Sequence, residues 1–119
     1  MPETELLAKL REKLYKNFKL TVKEKGLIEE IFKHDLNFDR IDVITNIIIE
    51  TKLDKSSLMA FLCYQLYKVY PEEGDKIYSQ INKEEQAMVD DFKTIKDINQ
   101  LTLSEEIEDI RRMFLVMSN

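Results

Sequence analysis

The stretch Ser57-Leu58-Met59-Ala60-Phe61-Leu62-Cys63-Tyr64-Gln65-Leu66-Tyr67 lies near the middle of a 119-residue chain. Wound as a helix, it is apolar around nearly its whole circumference, and such an element is stable only with neighbours on several sides. The rest of the chain must therefore supply a shell around it. That shell is helical by periodicity. Leu7, Leu10, Leu14 and Phe18 recur at steps of three and four between charged residues, which predicts a first helix over roughly residues 3–18. Thr21 and Glu24 have the spacing of a capping box, in which each side chain satisfies the other's orphan backbone donor. Leu27, Ile28, Ile31 and Phe32 then form the apolar face of a second helix reaching about His34.

Asp35-Leu36-Asn37-Phe38-Asp39 reads as a loop that ends in a cap, followed by a third helix with the stripe Val43, Ile44, Ile47 and Ile48. The run Ile47-Ile48-Ile49 has strand propensity, but helical spacing on both sides assigns it to the helix. Asp54 or Ser56 caps the central helix, which stops at Tyr70 because the Pro71 ring has no amide hydrogen and suits the first turn of a new helix. Glu72 to Ile81 is expected as a short helix interrupted by Gly74, with Ile77, Tyr78 and Ile81 facing inward. Asn82 with Glu85 repeats the capping pattern ahead of Met88, Val89, Phe92 and Ile95. Thr102 with Glu105 repeats it ahead of the stripe Leu103, Ile107, Ile110, Phe114 and Met117. The fold class expected is an all-α single-domain bundle of about six or seven helices over residues 1–119. The last stripe meets no Gly or Pro stop, which fits a chain cut from something longer as well as a helix that simply runs out.

Composition narrows the function classes. Only two Gly and two Pro argue against hairpins and disordered tails, and a net charge of −5 with a pI near 5.0 works against binding nucleic acid or an anionic membrane. One cysteine rules out an internal disulfide and a Cys-cluster zinc site, which suits a reducing compartment. With no signal-peptide pattern and no apolar run near the ~20 residues of a membrane span, the expected location is the cytoplasm.

Residues able to carry chemistry are few. His34, the single histidine, stands at a helix end where the dipole favours it, and zinc sites usually draw on two or three imidazoles. Cys63 sits in the central apolar run, where a thiol is a small hydrophobe with a raised pKa. The paired carboxylates lie in first turns or on polar faces, Asp90-Asp91 excepted, and Tyr64, Tyr67, Tyr70 and Tyr78 read as an amphipathic core edge. From the residues alone, catalysis is disfavoured.

Two segments of the second half bear on identity. Ala87-Met88-Val89-Asp90-Asp91-Phe92-Lys93 and Glu108-Asp109-Ile110-Arg111-Arg112-Met113-Phe114-Leu115-Val116-Met117-Ser118 resemble the "VDGVTK" and "ENLRKMLLAMS" segments of the HD hydrolase domain of RelA/SpoT-type enzymes. Those enzymes make and degrade the alarmone (p)ppGpp. Val43 through Asp54 and Ser57 through Leu62 align without gaps on the family's "HPLAVARIVAEEIGLD" and "IAAALLHD" stretches, so that the resemblance covers about two thirds of the chain.

The resemblance implies a site that has lost its chemistry. The family's metal-binding histidine falls on Asp39, its His-Asp pair on Tyr64 and Gln65, and its later aspartate beyond Asn119. A tyrosine hydroxyl and a glutamine amide are poor ligands for a divalent ion at neutral pH. The Glu-Asp of active members is Lys68-Val69, and a lysine there would repel the metal. The basic "RKSGEPY" loop has no counterpart, and the synthetase domain does not follow. Asp90 and Arg112 survive at motif positions, where capping or a buried polar contact is expected of them. The reading is a degenerate, C-terminally truncated HD-like domain with no catalytic residues and no cofactor, serving as a regulatory or interaction module of the stringent response. Its expected partners are a protein, or a second copy, on the Leu103, Ile107, Ile110, Phe114 and Met117 face, with guanine nucleotide as a candidate ligand. The alternative is a manganese-dependent (p)ppGpp pyrophosphohydrolase with Asp39, Asp90, Asp91 and His34 rearranged into a metal site, or the N-terminal fragment of a GTP pyrophosphokinase. A third reading sets the resemblance aside and leaves a small helical adaptor.

Overall fold

A computed structural model describes residues 3–94, with side chains from Glu5 onward. Six helices make up these residues: α1 (Glu3–Asn17), α2 (Val22–Phe32), α3 (Phe38–Glu50), α4 (Lys55–Val69), α5 (Pro71–Tyr78) and α6 (Lys83–Thr94). The chain is all-α over this span, the isoleucine run of α3 included. No helix among the described residues is long and apolar enough to cross a membrane.

The helix starts follow from local side-chain chemistry. In the Thr21–Glu24 box, the Glu24 amide donates to Thr21 Oγ1 at 3.1 Å and the Thr21 amide to Glu24 Oε1 at 2.7 Å. The Asn82–Glu85 box opens α6 in the same way, at 2.8 and 3.0 Å. Asp54 Oδ1 caps α4 by accepting from the Ser57 amide and hydroxyl, both at 3.0 Å. Each such cap stabilises its helix by about 1 kcal/mol. The cap of α3 is Asn37, whose Oδ1 accepts from the Arg40 amide at 3.1 Å; Asp39, expected to end the loop, lies inside the first turn. The α2 helix stops two residues short of His34, in a tightened turn where the Lys33 amide donates to the Glu30 carbonyl and the His34 amide to the Ile31 carbonyl.

α4 is the axis of the core. Leu58 through Cys63 and Leu66 have no solvent exposure, and the stripes of the other helices close around them. From α1 come Leu10 and Leu14, from α2 Leu27, Ile28, Ile31 and Phe32, and from α6 Met88, Val89 and Phe92. The buried set of α3 is Phe38, Ile41, Ile44, Thr45 and Ile48, a rotation away from the expected stripe: Val43 is exposed and Ile47 only half-buried. That rotation leaves the Thr45 hydroxyl buried without a hydrogen-bond partner.

α5 is shorter than expected, ending at Tyr78, and Gly74 does not interrupt it. A Cβ at Gly74 would lie 2.6 Å from Tyr67 Cβ, 2.8 Å from Tyr67 N and closer still to Tyr67 Cα. Glycine is thus what lets α5 lie on the α4 backbone. Ion pairs fix the outer helices: Arg11 Nε and Tyr15 Oη both donate to Glu29 Oε2 at 2.5 Å, Lys13 reaches Asp42 at 2.6 Å, and Lys55 reaches Glu24 at 3.0 Å. Surface pairs are worth up to about 1 kcal/mol each, less than one fully buried leucine. They orient the helices, while burial against α4 holds them.

Candidate functional site at the middle of α4

Of the two positions that the resemblance assigns to a metal-ligand pair, that of Tyr64 lies at the α4–α6 contact. Tyr64 and Gln65 are each 6% exposed. The Tyr64 ring stacks on Phe92 of α6, with centroids 5.4 Å apart, and on Tyr67 one turn along, at 6.4 Å. Burial, helped by Tyr67, raises the pKa of the Tyr64 phenol, so it stays protonated and cannot supply an anionic oxygen.

The next turn of α4 reinforces this. Lys68 Nζ stands 5.5 Å from the centre of the Tyr64 ring. Burial, with a contribution from Arg40 of α3, pulls the Lys68 ammonium down to about 8. The Arg40 charge is thus felt at Lys68 across the α3–α4 contact, an arrangement hostile to a divalent cation. Asp39 is exposed and lines a shallow groove of about 310 Å³ with Asn37, Arg40 and Val43.

Asp90 is neither a cap nor buried. It lies within α6, exposed, and accepts the Tyr78 hydroxyl on both carboxylate oxygens, at 3.0 and 3.1 Å. This hydrogen bond raises the pKa of the Tyr78 phenol. Lys93 Nζ covers the Tyr67 ring at 4.0 Å and the Tyr78 ring at 5.0 Å. An aromatic and cationic ladder thus joins α4, α5 and α6 beside the motif positions. The tyrosines were legible as a core edge; Lys93 was not, because its partners are remote in sequence.

The structure does not gather the residues that a rearranged metal site would need. His34 is turned toward Glu73, Asp90 toward Tyr78, and Asp39 sits at the start of α3. Among the described residues, no group of three or more His, Cys, Asp or Glu side chains is placed to hold a metal ion. Cys63 is buried, its thiol pushed up to about 12 by burial, with Sγ 3.6 Å from the Gly74 carbonyl oxygen. Arg112 and the Leu103, Ile107, Ile110, Phe114 and Met117 stripe lie outside the described residues, as do Ile95 and the Thr102–Glu105 cap.

A second feature escaped the sequence. Between α2 and α5 lies an open cleft of about 360 Å³, floored by Leu27, Leu66 and Ile77 and rimmed by Lys23, Glu30, His34, Glu73, Lys76 and Gln80. His34 is not a plain surface residue: its side chain is 19% exposed and its ring packs at 5.1 Å on Tyr70. Compared with known proteins, the chain matches no family model, no curated protein and no solved structure.

Proposed function

We propose that this chain is a non-catalytic, HD-like module related to the (p)ppGpp synthetase/hydrolase proteins, acting in the cytoplasm by docking to a partner instead of by hydrolysis. The observation that carries the reading is the fate of the motif pair. Tyr64 and Gln65 occupy its positions as core residues, with Tyr64 stacked on Phe92 and Lys68 one turn away. A neutral phenol, a neutral amide and a nearby ammonium make no ligand set for a divalent ion. In this reading residues kept for packing have replaced residues kept for metal. The docking face is the C-terminal stripe Leu103, Ile107, Ile110, Phe114 and Met117, taken by a protein partner or by a second copy, and guanine nucleotide is a candidate ligand that is not cleaved.

The test is isothermal titration of the purified chain with ppGpp, with and without manganese, followed by a hydrolysis assay on the same sample. No pyrophosphate release under either condition is the expected result. Release that depends on manganese would overturn the reading in favour of the hydrolase. A mass that rises with concentration in light scattering would identify self-association as the docking mode.

A further inference from the structure

We propose that His34 is a proton-operated clasp that joins the end of α2 to the first turn of α5 when its imidazole is charged and releases it when neutral. The inference rests on which hydrogens each neighbour can accept. His34 Nδ1 lies 3.1 Å from the Glu30 carbonyl oxygen. A carbonyl only accepts, so Nδ1 must carry the hydrogen in either charge state. In the neutral ring Nε2 is then a bare lone pair. Its neighbour, Glu73 Oε2 at 3.8 Å, is also an acceptor. The imidazolium alone has a proton for both sides.

The surroundings aim the ring at this task. On the α2 side stand the Glu30 carbonyl, near the negative end of the helix dipole, and the Glu30 carboxylate, itself engaged by Lys33 at 3.1 Å. Asp35 follows in sequence, exposed. On the α5 side is Glu73, shared with Lys76 at 3.2 Å. Tyr70, between α4 and α5, packs against the imidazole and fixes its plane. On its other flank α5 is held firmly to α4 through Gly74 and Ile77. Toward α2 it leaves the cleft, whose rim His34 and Glu73 share, with Nε2 3.8 Å from Oε2. The clasp closes when the imidazole carries both ring hydrogens and opens when Nε2 is bare.

The chain has a single histidine, which makes the experiment clean. ¹H–¹⁵N spectra of the whole chain are recorded from pH 5 to 8 beside the His34 ring-proton titration, for the wild type and for Glu73→Gln. In the wild type, the Glu73, Gly74 and Ile77 amide shifts should follow the imidazole curve. In Glu73→Gln that dependence should be lost while the ring still titrates. α5 amides that ignore the imidazole curve in the wild type would overturn the clasp, and so would amides that still follow it in Glu73→Gln. If the variant failed to fold, the wild-type curves would decide alone.

Discussion

The Tyr64 ring lies on Phe92 with its plane inclined by 26° and its centroid 5.4 Å away, tying the middle of α4 to the end of α6. Truncating either ring leaves a cavity in a close-packed core. Tyr64→Ala should cost about 3–5 kcal/mol in denaturant unfolding, while Tyr64→Phe should stay within about 1 kcal/mol of the wild type. A double-mutant cycle with Phe92→Leu should return a coupling of about 1 kcal/mol. Near-zero cost for Tyr64→Ala would show that this position is not held for packing.

The two glycines should respond to alanine with opposite signs. At Gly74 the new methyl meets Tyr67 backbone atoms, which cannot move without shifting α5, so Gly74→Ala should lose about 3 kcal/mol. Gly26 lies within α2, exposed, with nothing within 4 Å of the position a Cβ would take. Gly26→Ala should gain about 1 kcal/mol through helix propensity alone. Thermal unfolding of the two variants side by side reads both signs.

Thr45→Val should stabilise the chain. The Thr45 hydroxyl is fully buried and makes no hydrogen bond, and valine fills nearly the same volume without needing one. A gain of about 1 kcal/mol is expected, read from the shift of the urea midpoint at constant slope.

Two carboxylates set opposing slopes in the acid limb of the stability curve. Burial raises the pKa of Glu85; the Asn82 amide and the Ser56 hydroxyl pull it down, and the Glu24 charge adds to the rise. Burial acts the same way on Glu24, but the Thr21 hydrogen bonds and Lys55 outweigh it and hold its pKa below the usual carboxylate range. A raised carboxyl favours the fold once protonated, and that contribution is lost as pH rises through its folded value. A lowered one favours the fold when ionised, and that contribution is lost as pH falls through its folded value. Glu85→Gln keeps the cap acceptor and removes the charge, so it should be more stable than the wild type at pH 7, with the gain shrinking toward acid. Glu24→Gln should be less stable at pH 7, with the loss also shrinking toward acid. Urea unfolding at intervals from pH 3 to 7 tests both.

What the sequence made legible was local. The Thr21–Glu24 and Asn82–Glu85 boxes join residues three apart, and the burial of α4 follows from its apolar circumference. The rotation of α3 did not follow, because Ile41, Val43, Ile44, Ile47, Ile48 and Ile49 cover too much of one helix to define a single stripe. Asn37 and Asp39 are both good caps two residues apart, and only the backbone decides between them. Gly74 looked like a breaker because the close approach that requires it involves Tyr67, on another helix. At the candidate site, the lack of metal-ligand side chains at Tyr64 and Gln65 was visible in the chain, whereas the influence of Arg40 on Lys68 and the Lys93 cover depend on how α3, α4, α5 and α6 meet.

Cys63 lies under α5, with its sulfur against the Gly74 carbonyl and its thiol too basic to react at neutral pH. A soluble alkylating reagent can reach it only while α5 is lifted from α4, and the thiolate it needs is scarce until then. The alkylation rate of this one thiol is thus a stopwatch for opening at the α4–α5 seam, readable by mass spectrometry.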